Sequence, residues 1–224
     1  MVERIKTKNL MKEHSDADLN NLVQFRLMEC ITKIDKKSDF SAVIYLKGGC
    51  SNGNKPAKSG DKSAWMYYIE TPDKQYEDQY EDQYEDHSEA DVHGYTQNSM
   101  YLEAMIQAMN GTLNLKINNN KLLFVTDYTV LAYGITKWYE KWIKDNWITS
   151  EGRIVEDIPR WKKIICGVKD YFPNSKMLCI TKEKNKDSVE NQNDCKRKYE
   201  DCPEYQQGLE IVTNFVDSKT QFVK

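Results

Sequence analysis

No apolar run in these 224 residues approaches the ~18–20 that a membrane span needs, and no secretory apolar core lies near the N-terminus. The six cysteines, Cys30, Cys50, Cys166, Cys179, Cys195 and Cys202, form no Cys-x-x-Cys pair and no zinc-ligand spacing. These absences exclude a membrane partner and a zinc module. They predict free thiols in a reducing compartment of a soluble, intracellular protein, with cytoplasm and nucleus not distinguished. A one-signed charge excess is missing too: the net charge is −3, so any basic footprint for a polyanion must be local.

The length suffices for one well-buried domain with a small appendage. Residues 1–38 read as that appendage, a polar, basic tail followed by an amphipathic helix. Ser15 and Asp18 are spaced as a capping box, and Leu19, Leu22, Val23, Leu27, Ile31 and Ile34 mark one face of about five turns. Such a helix either packs on the domain or holds a protein partner.

Residues 39–224 read as the domain. Ser41–Leu46 is a short apolar strand, and Lys47 to Gly53 after it is a glycine-rich loop. Ala64–Glu70 is a second strand. Gln75–Asp86 repeats Gln-Tyr-Glu-Asp three times, and acidic low complexity of that kind predicts a solvated hairpin or disordered insertion over 75–91. Val92–Gln97 is a candidate third strand, leading into a helix whose inward face carries Leu102, Met105, Ile106 and Met109. Further on come a helix over Pro159–Val168, a strand over Lys176–Thr181, a charged segment 182–198 and a terminal helix over Tyr205–Val223.

Lys121 to Trp161 carries the chemistry. A buried strand, Leu122–Val125, ends at Thr126-Asp127, and a helical pattern follows at once. Open α/β sheets place ligand chemistry at such strand tips. Trp138, Trp142 and Trp147 then interleave with Lys137, Lys141 and Lys144, a composition suited to gripping and stacking on a polynucleotide. Each signal has a plainer reading as well. Tryptophans four apart on a helix can simply pack, and Asp127 can simply cap the helix that follows it.

Thr126-Asp127-Tyr128, then Gly134-Ile135-Thr136-Lys137-Trp138, Trp142 and Asn146-Trp147, resemble without a gap the fourth strand and following helix of type 1 ribonuclease H, which cuts RNA in RNA/DNA hybrids. The Lys47-Gly48-Gly49-Cys50-Ser51-Asn52-Gly53 loop is similar to that family's first-strand loop. The resemblance covers about residues 40–200 and implies an α/β fold, a five-stranded mixed sheet with helices on both faces, preceded here by the extra N-terminal helix.

The same resemblance implies a metal-dependent hydrolase with four carboxylates around two cations about 4 Å apart. Only Asp127 is kept in the matching positions. The other three fall on Lys47, Tyr101 and Cys195, the last by laying Asn191 on a family asparagine. Asp194, one residue away, could restore a carboxylate, whereas Glu103 lies two residues from the helix position and so points elsewhere. The histidine of the family's late loop has no counterpart, since no histidine follows His93.

Binding positions are better kept. The resemblance assigns nucleic-acid contacts to Asn52, Thr96, Gln97, Asn98, Trp138, Trp142, Thr149 and Ser150. Its phosphate pocket keeps Thr96 but places Gly94 and Asp157 where an arginine and an asparagine stand, which weakens phosphate binding. The expectation is a catalytically silent relative binding RNA/DNA hybrid, other nucleic acid or a protein partner. A Lys47–Asp127 bridge would replace the metals, and no cofactor is expected. The alternative is an active ribonuclease H using Mg²⁺ on carboxylates rebuilt from Asp127, Glu103 and Asp194.

Overall fold

The computed structural model describes residues 2–4, 9–12, 19, 27–32, 35–55, 60–83, 96–118, 121–182 and 195–220. Eight strands form one mixed sheet: β1 (Val2–Arg4), β2 (Glu29–Cys30), β3 (Ala42–Cys50), β4 (Lys62–Glu70), β5 (Gln75–Gln83), β6 (Leu122–Thr126), β7 (Lys176–Thr181) and β8 (Lys196–Lys198). Their order is β1-β5-β4-β3-β6-β7-β2, with β8 also on β7. The long strands β3, β4 and β5 run as an antiparallel meander, while β6 and β7 join it in parallel. The five long strands match the expected sheet in number, and the three short ones extend its edges.

Strand periodicity sorts the core into two layers. In β3, Ala42, Ile44 and Leu46 face one layer with Leu102, Met105 and Trp161, while Val43 and Tyr45 face the other with Tyr205, Leu209 and Val212. All five residues of β6 are buried, as expected of a parallel strand covered on both faces. On the first face lie α1 (Gln97–Asn114), a continuous run termed α2 (Thr129–Tyr133, Gly134–Trp138 and Tyr139–Lys144) and α3 (Ile158–Tyr171). The middle segment of α2 is a π-helix, a wider turn often found at functional sites. The second face is covered by α4 (Pro203–Thr220), whose Gly208 lies flat on the Tyr45 ring.

Several expectations are corrected. The Gln-Tyr-Glu-Asp repeat is a strand through Gln83: its residues 75–83 are β5, paired antiparallel with β4 along their whole length, and residues 84–91 lie outside the described residues. Two strand steps separate Tyr76 from Asp78, so both lie on one face of β5. Tyr76 stands beside Ile69 and packs against the first core layer. β5 thus takes the third place in the meander that was assigned to Val92–Gln97. Residues 92–95 lie outside the described residues, and Gln97 opens α1.

Lys47–Cys50 belongs to β3 rather than to a loop, because Gly48 and Gly49 let helices approach the strand on both sides. The N-terminal helix does not run to Ile34, since Glu29–Cys30 is a strand on the edge of β7. Ser15, Asp18 and most of that helix lie outside the described residues. Cys30 and Cys195 are not free thiols but a disulfide, with Cα atoms 4.7 Å apart. Cys50, Cys166, Cys179 and Cys202 are buried and lie outside that disulfide. No helix among the described residues is long and apolar enough to cross a membrane.

Candidate functional site

The register of the central strands builds the site. Leu46 of β3 pairs with Thr126 at the end of β6, so Lys47, still within β3, stands beside Asp127, the first residue past β6. Their side chains form an ion pair, Lys47 Nζ to Asp127 Oδ2, with side-chain exposures of 14% and 29%. Tyr101, on α1, donates its hydroxyl hydrogen to Asp127 Oδ1 at 2.6 Å. Both carboxylate oxygens are therefore held by protein donors. Asp127 is not a helix cap, since the cap position belongs to Tyr128, which makes no side-chain capping bond.

Tyr101 is fully buried. Burial, followed by the charge of Asp127 and the hydrogen bond to it, holds its phenol protonated far above the usual tyrosine range. Its ring stacks on Tyr128 with centroids 4.3 Å apart. Burial, with the charges of Glu156 and Asp157 and against a hydrogen bond to Asn54, pushes the Tyr128 phenol up to about 12. Tyr128 was not foreseen as a site residue. The signal was present, because a large aromatic follows Thr126-Asp127 where the family carries a serine.

A cleft of about 710 Å³ opens beside this cluster. Asn98, Trp138, Trp142, Thr149 and Ser150 line it, as does Tyr128. Trp138 is 38% exposed and rests at 5.8 Å, centroid to centroid, on Trp142, which is only 7% exposed and meets Trp161 at 5.0 Å. The tryptophans thus form a row of tilted and edge-to-face rings rooted in the core with one outer ring. Gly134 permits this, for a Cβ there would lie 2.2 Å from the Trp161 ring.

The remaining assigned residues hold the cleft's rim. Thr96 caps α1 in a reciprocal pair: its hydroxyl accepts from Ser99 N at 3.1 Å, and Ser99 Oγ accepts from Thr96 N at 2.7 Å. Gln97 N donates to Gly53 O and Asn98 N to Asn54 Oδ1, so the turn carrying Asn52 docks on the start of α1. Thr149 and Ser150 also line the cleft, within the turn closed by the Ile148–Ile154 bridge. Ile154, 75% exposed, also lines the cleft.

Asp157 accepts from Asn98 Nδ2 at 3.3 Å and from Arg160 at 2.7 Å, and Arg160 also reaches Glu103 at 3.2 Å. Burial lowers the affinity of Arg160 for its proton, but Asp157 and Glu103 outweigh it and raise its pKa. Glu103 faces Arg160 and Gln107, not Asp127, as its helical offset requires. Arg160, which no motif signalled, is thus neutralised by two carboxylates. Gly94, Asn191 and Asp194 lie outside the described residues.

Cys195 is taken up by the disulfide, and its sulfur lies 3.4 Å from the Thr136 hydroxyl. Among the described residues no group of three or more histidine, cysteine or acidic side chains converges.

No family model matches the chain. Curated proteins do. The ribonuclease H of Wolbachia pipientis wMel is 33% identical over 126 residues, 54% of this chain and 70% of that protein. The chain belongs to the ribonuclease H family. The ribonuclease H of Orientia tsutsugamushi is 32% identical over 123 residues, 53% of this chain, and the match spans 59% of that protein's length. Among solved structures, prototype foamy virus protease-reverse transcriptase matches with a TM-score of 0.54 at 14% identity, over 87% of this chain and 23% of that one. The solution structure of the PFV RNase H domain matches at 0.50 and 13% identity, over 81% and 94%. These likenesses show the ribonuclease H fold.

Proposed function

We propose that this family member binds nucleic acid in the tryptophan-lined cleft without cutting it by the metal-dependent route. The observation that carries this reading is the Lys47–Asp127–Tyr101 cluster. A divalent cation needs several oxygen ligands, chiefly carboxylates, around a shared vacancy. Here an ammonium and a phenol hydroxyl hold both carboxylate oxygens of Asp127. The residues present do not fit the cation, because lysine repels it and tyrosine supplies a poor, protonated ligand. Lys47 supplies a fixed positive charge in its place.

Binding draws on different residues. Trp138 offers an outer ring for stacking, and Lys137 and Lys141 line the same cleft. Among the solved neighbours, foamy viral protease-reverse transcriptase is described in complex with RNA/DNA hybrid, which makes the hybrid the first ligand to try. Affinity should be modest, because Arg160 is paired internally and Glu151 and Glu156 add negative charge to the cleft.

One observation favours a second reading, an active ribonuclease H: the curated relatives carry that name. A cleavage assay on a labelled RNA/DNA hybrid with Mg²⁺ or Mn²⁺ separates the two. No product above the no-metal control is the expected result, and metal-dependent cleavage that copurifies with the protein would sink the proposal. In a parallel titration, Trp138→Ala should weaken hybrid binding by about 1–3 kcal/mol.

A further inference from the structure

Among the described residues, the pairing of Lys47 leaves part of its bonding capacity unused. An alkylammonium carries three N–H donors. Asp127 Oδ2 takes one, and Nζ also lies over the Tyr101 ring, 5.9 Å from its centroid. The described residues provide no second acceptor. Asp127 divides its charge between Lys47 and the Tyr101 hydroxyl. With 14% of its side chain exposed, Lys47 is neither sealed in the core nor fully hydrated. It stands within β3 beside the end of β6, and the Tyr101–Tyr128 stack lies between it and the cleft wall, where Tyr128 is a lining residue.

We infer that Lys47 is a phosphate-binding residue: its ammonium, oriented by Asp127, donates to a phosphodiester oxygen of the strand held in the cleft. This rests on the nucleic-acid reading above and deepens it. The chemistry requires an anionic oxygen, since a partly desolvated ammonium with open donors gains most from a charged acceptor. A phosphodiester supplies one at every nucleotide, and stacking on Trp138 would hold a strand within the same cleft.

A simpler role for Lys47, mere neutralisation of Asp127, is separable from phosphate binding. The paired variant Lys47→Met/Asp127→Asn conserves shape and removes both charges together, so no carboxylate is left bare. Fluorescence anisotropy with a short fluorescein-labelled RNA/DNA hybrid, over a series of salt concentrations, compares it with the parent and with Lys47→Met. Circular dichroism first establishes that each variant is folded.

If Lys47 holds a phosphate, the paired variant binds roughly ten-fold more weakly at low salt. Its slope of log K against log salt is also shallower by about 0.9. Equal affinity and slope for parent and paired variant would assign Lys47 to neutralisation alone and overturn the inference while leaving the cleft reading intact. Absence of hybrid binding by the parent would overturn both. Should Lys47→Met fail to fold, the paired variant still decides.

Discussion

Gly48 lies directly against the backbone of Tyr101: a Cβ on the glycine would stand 2.3 Å from the Tyr101 amide nitrogen. That contact lets α1 close on β3 and sets the Tyr101 hydroxyl over Asp127. Gly48→Ala must push helix and strand apart, because backbone cannot step aside as a flexible side chain can. The expected loss is about 1–3 kcal/mol or more. Urea denaturation measures it, and an unchanged midpoint would refute the close packing.

Lys47→Ala leaves Asp127 with the Tyr101 hydroxyl alone. A fully buried pair would lose about 3–5 kcal/mol, but exposures of 14% and 29% admit water, so about 1–2 kcal/mol is expected. The loss should shrink when Asp127→Asn is already present. A double-mutant cycle with purely additive effects would mean that the ion pair contributes nothing.

Stability should fall in alkali. Tyr101 and Tyr128 have folded pKa values raised above the unfolded value of about 10, Tyr128 to about 12. Raised groups contribute stability that is complete below about pH 10 and is lost as pH climbs toward the folded pKa. Burial raises Tyr45 and Tyr67 in the same direction. Chemical denaturation should give a flat profile from about pH 7 to about pH 9 and a steep decline above about pH 10. Tyr101→Phe should make that decline shallower, and a decline of equal slope would contradict the assignment.

The disulfide closes a span of 165 positions between Cys30 and Cys195. Reduction, or Cys30→Ser with Cys195→Ser, should lower stability by about 2–5 kcal/mol. Denaturation with and without reductant tests this for the parent. The doubly substituted protein should show no response to reductant.

Lys47→Asp combined with Tyr101→Glu would surround Asp127 with two further carboxylates at strand and helix positions that already converge. Isothermal titration calorimetry should then register Mg²⁺ binding in the variant and none in the parent. A specific Mg²⁺ isotherm for the parent at low millimolar concentration or below would overturn the metal-free reading.

Legibility followed the range of the interactions. Burial of β6, the helix over Ile158–Tyr171 and the terminal helix were readable because hydrophobic period is a local property. The repeat over Gln75–Gln83 misled because composition suggested solvent, whereas its even period suits a strand that packs Tyr76 against the core. Cys30 and Cys195 gave no spacing signal, since nothing local relates residues so far apart. Trp138 and Trp142 looked equivalent, but Trp161 from α3 buries one and leaves the other at the rim.

By itself, the order of residues indicated the central buried strands and the helices after them, and placed Lys47 and Tyr101 in two of the carboxylate positions implied by the family resemblance. Only the folded chain decided that Lys47, Tyr101 and Asp127 touch, that Arg160 is absorbed by Asp157 and Glu103, and that Cys195 joins Cys30. The physical reason is that propensity and hydrophobic pattern act over a few residues. Ion pairs, close backbone contacts and cross-links join distant parts of the chain, and strand register with helix packing selects among them.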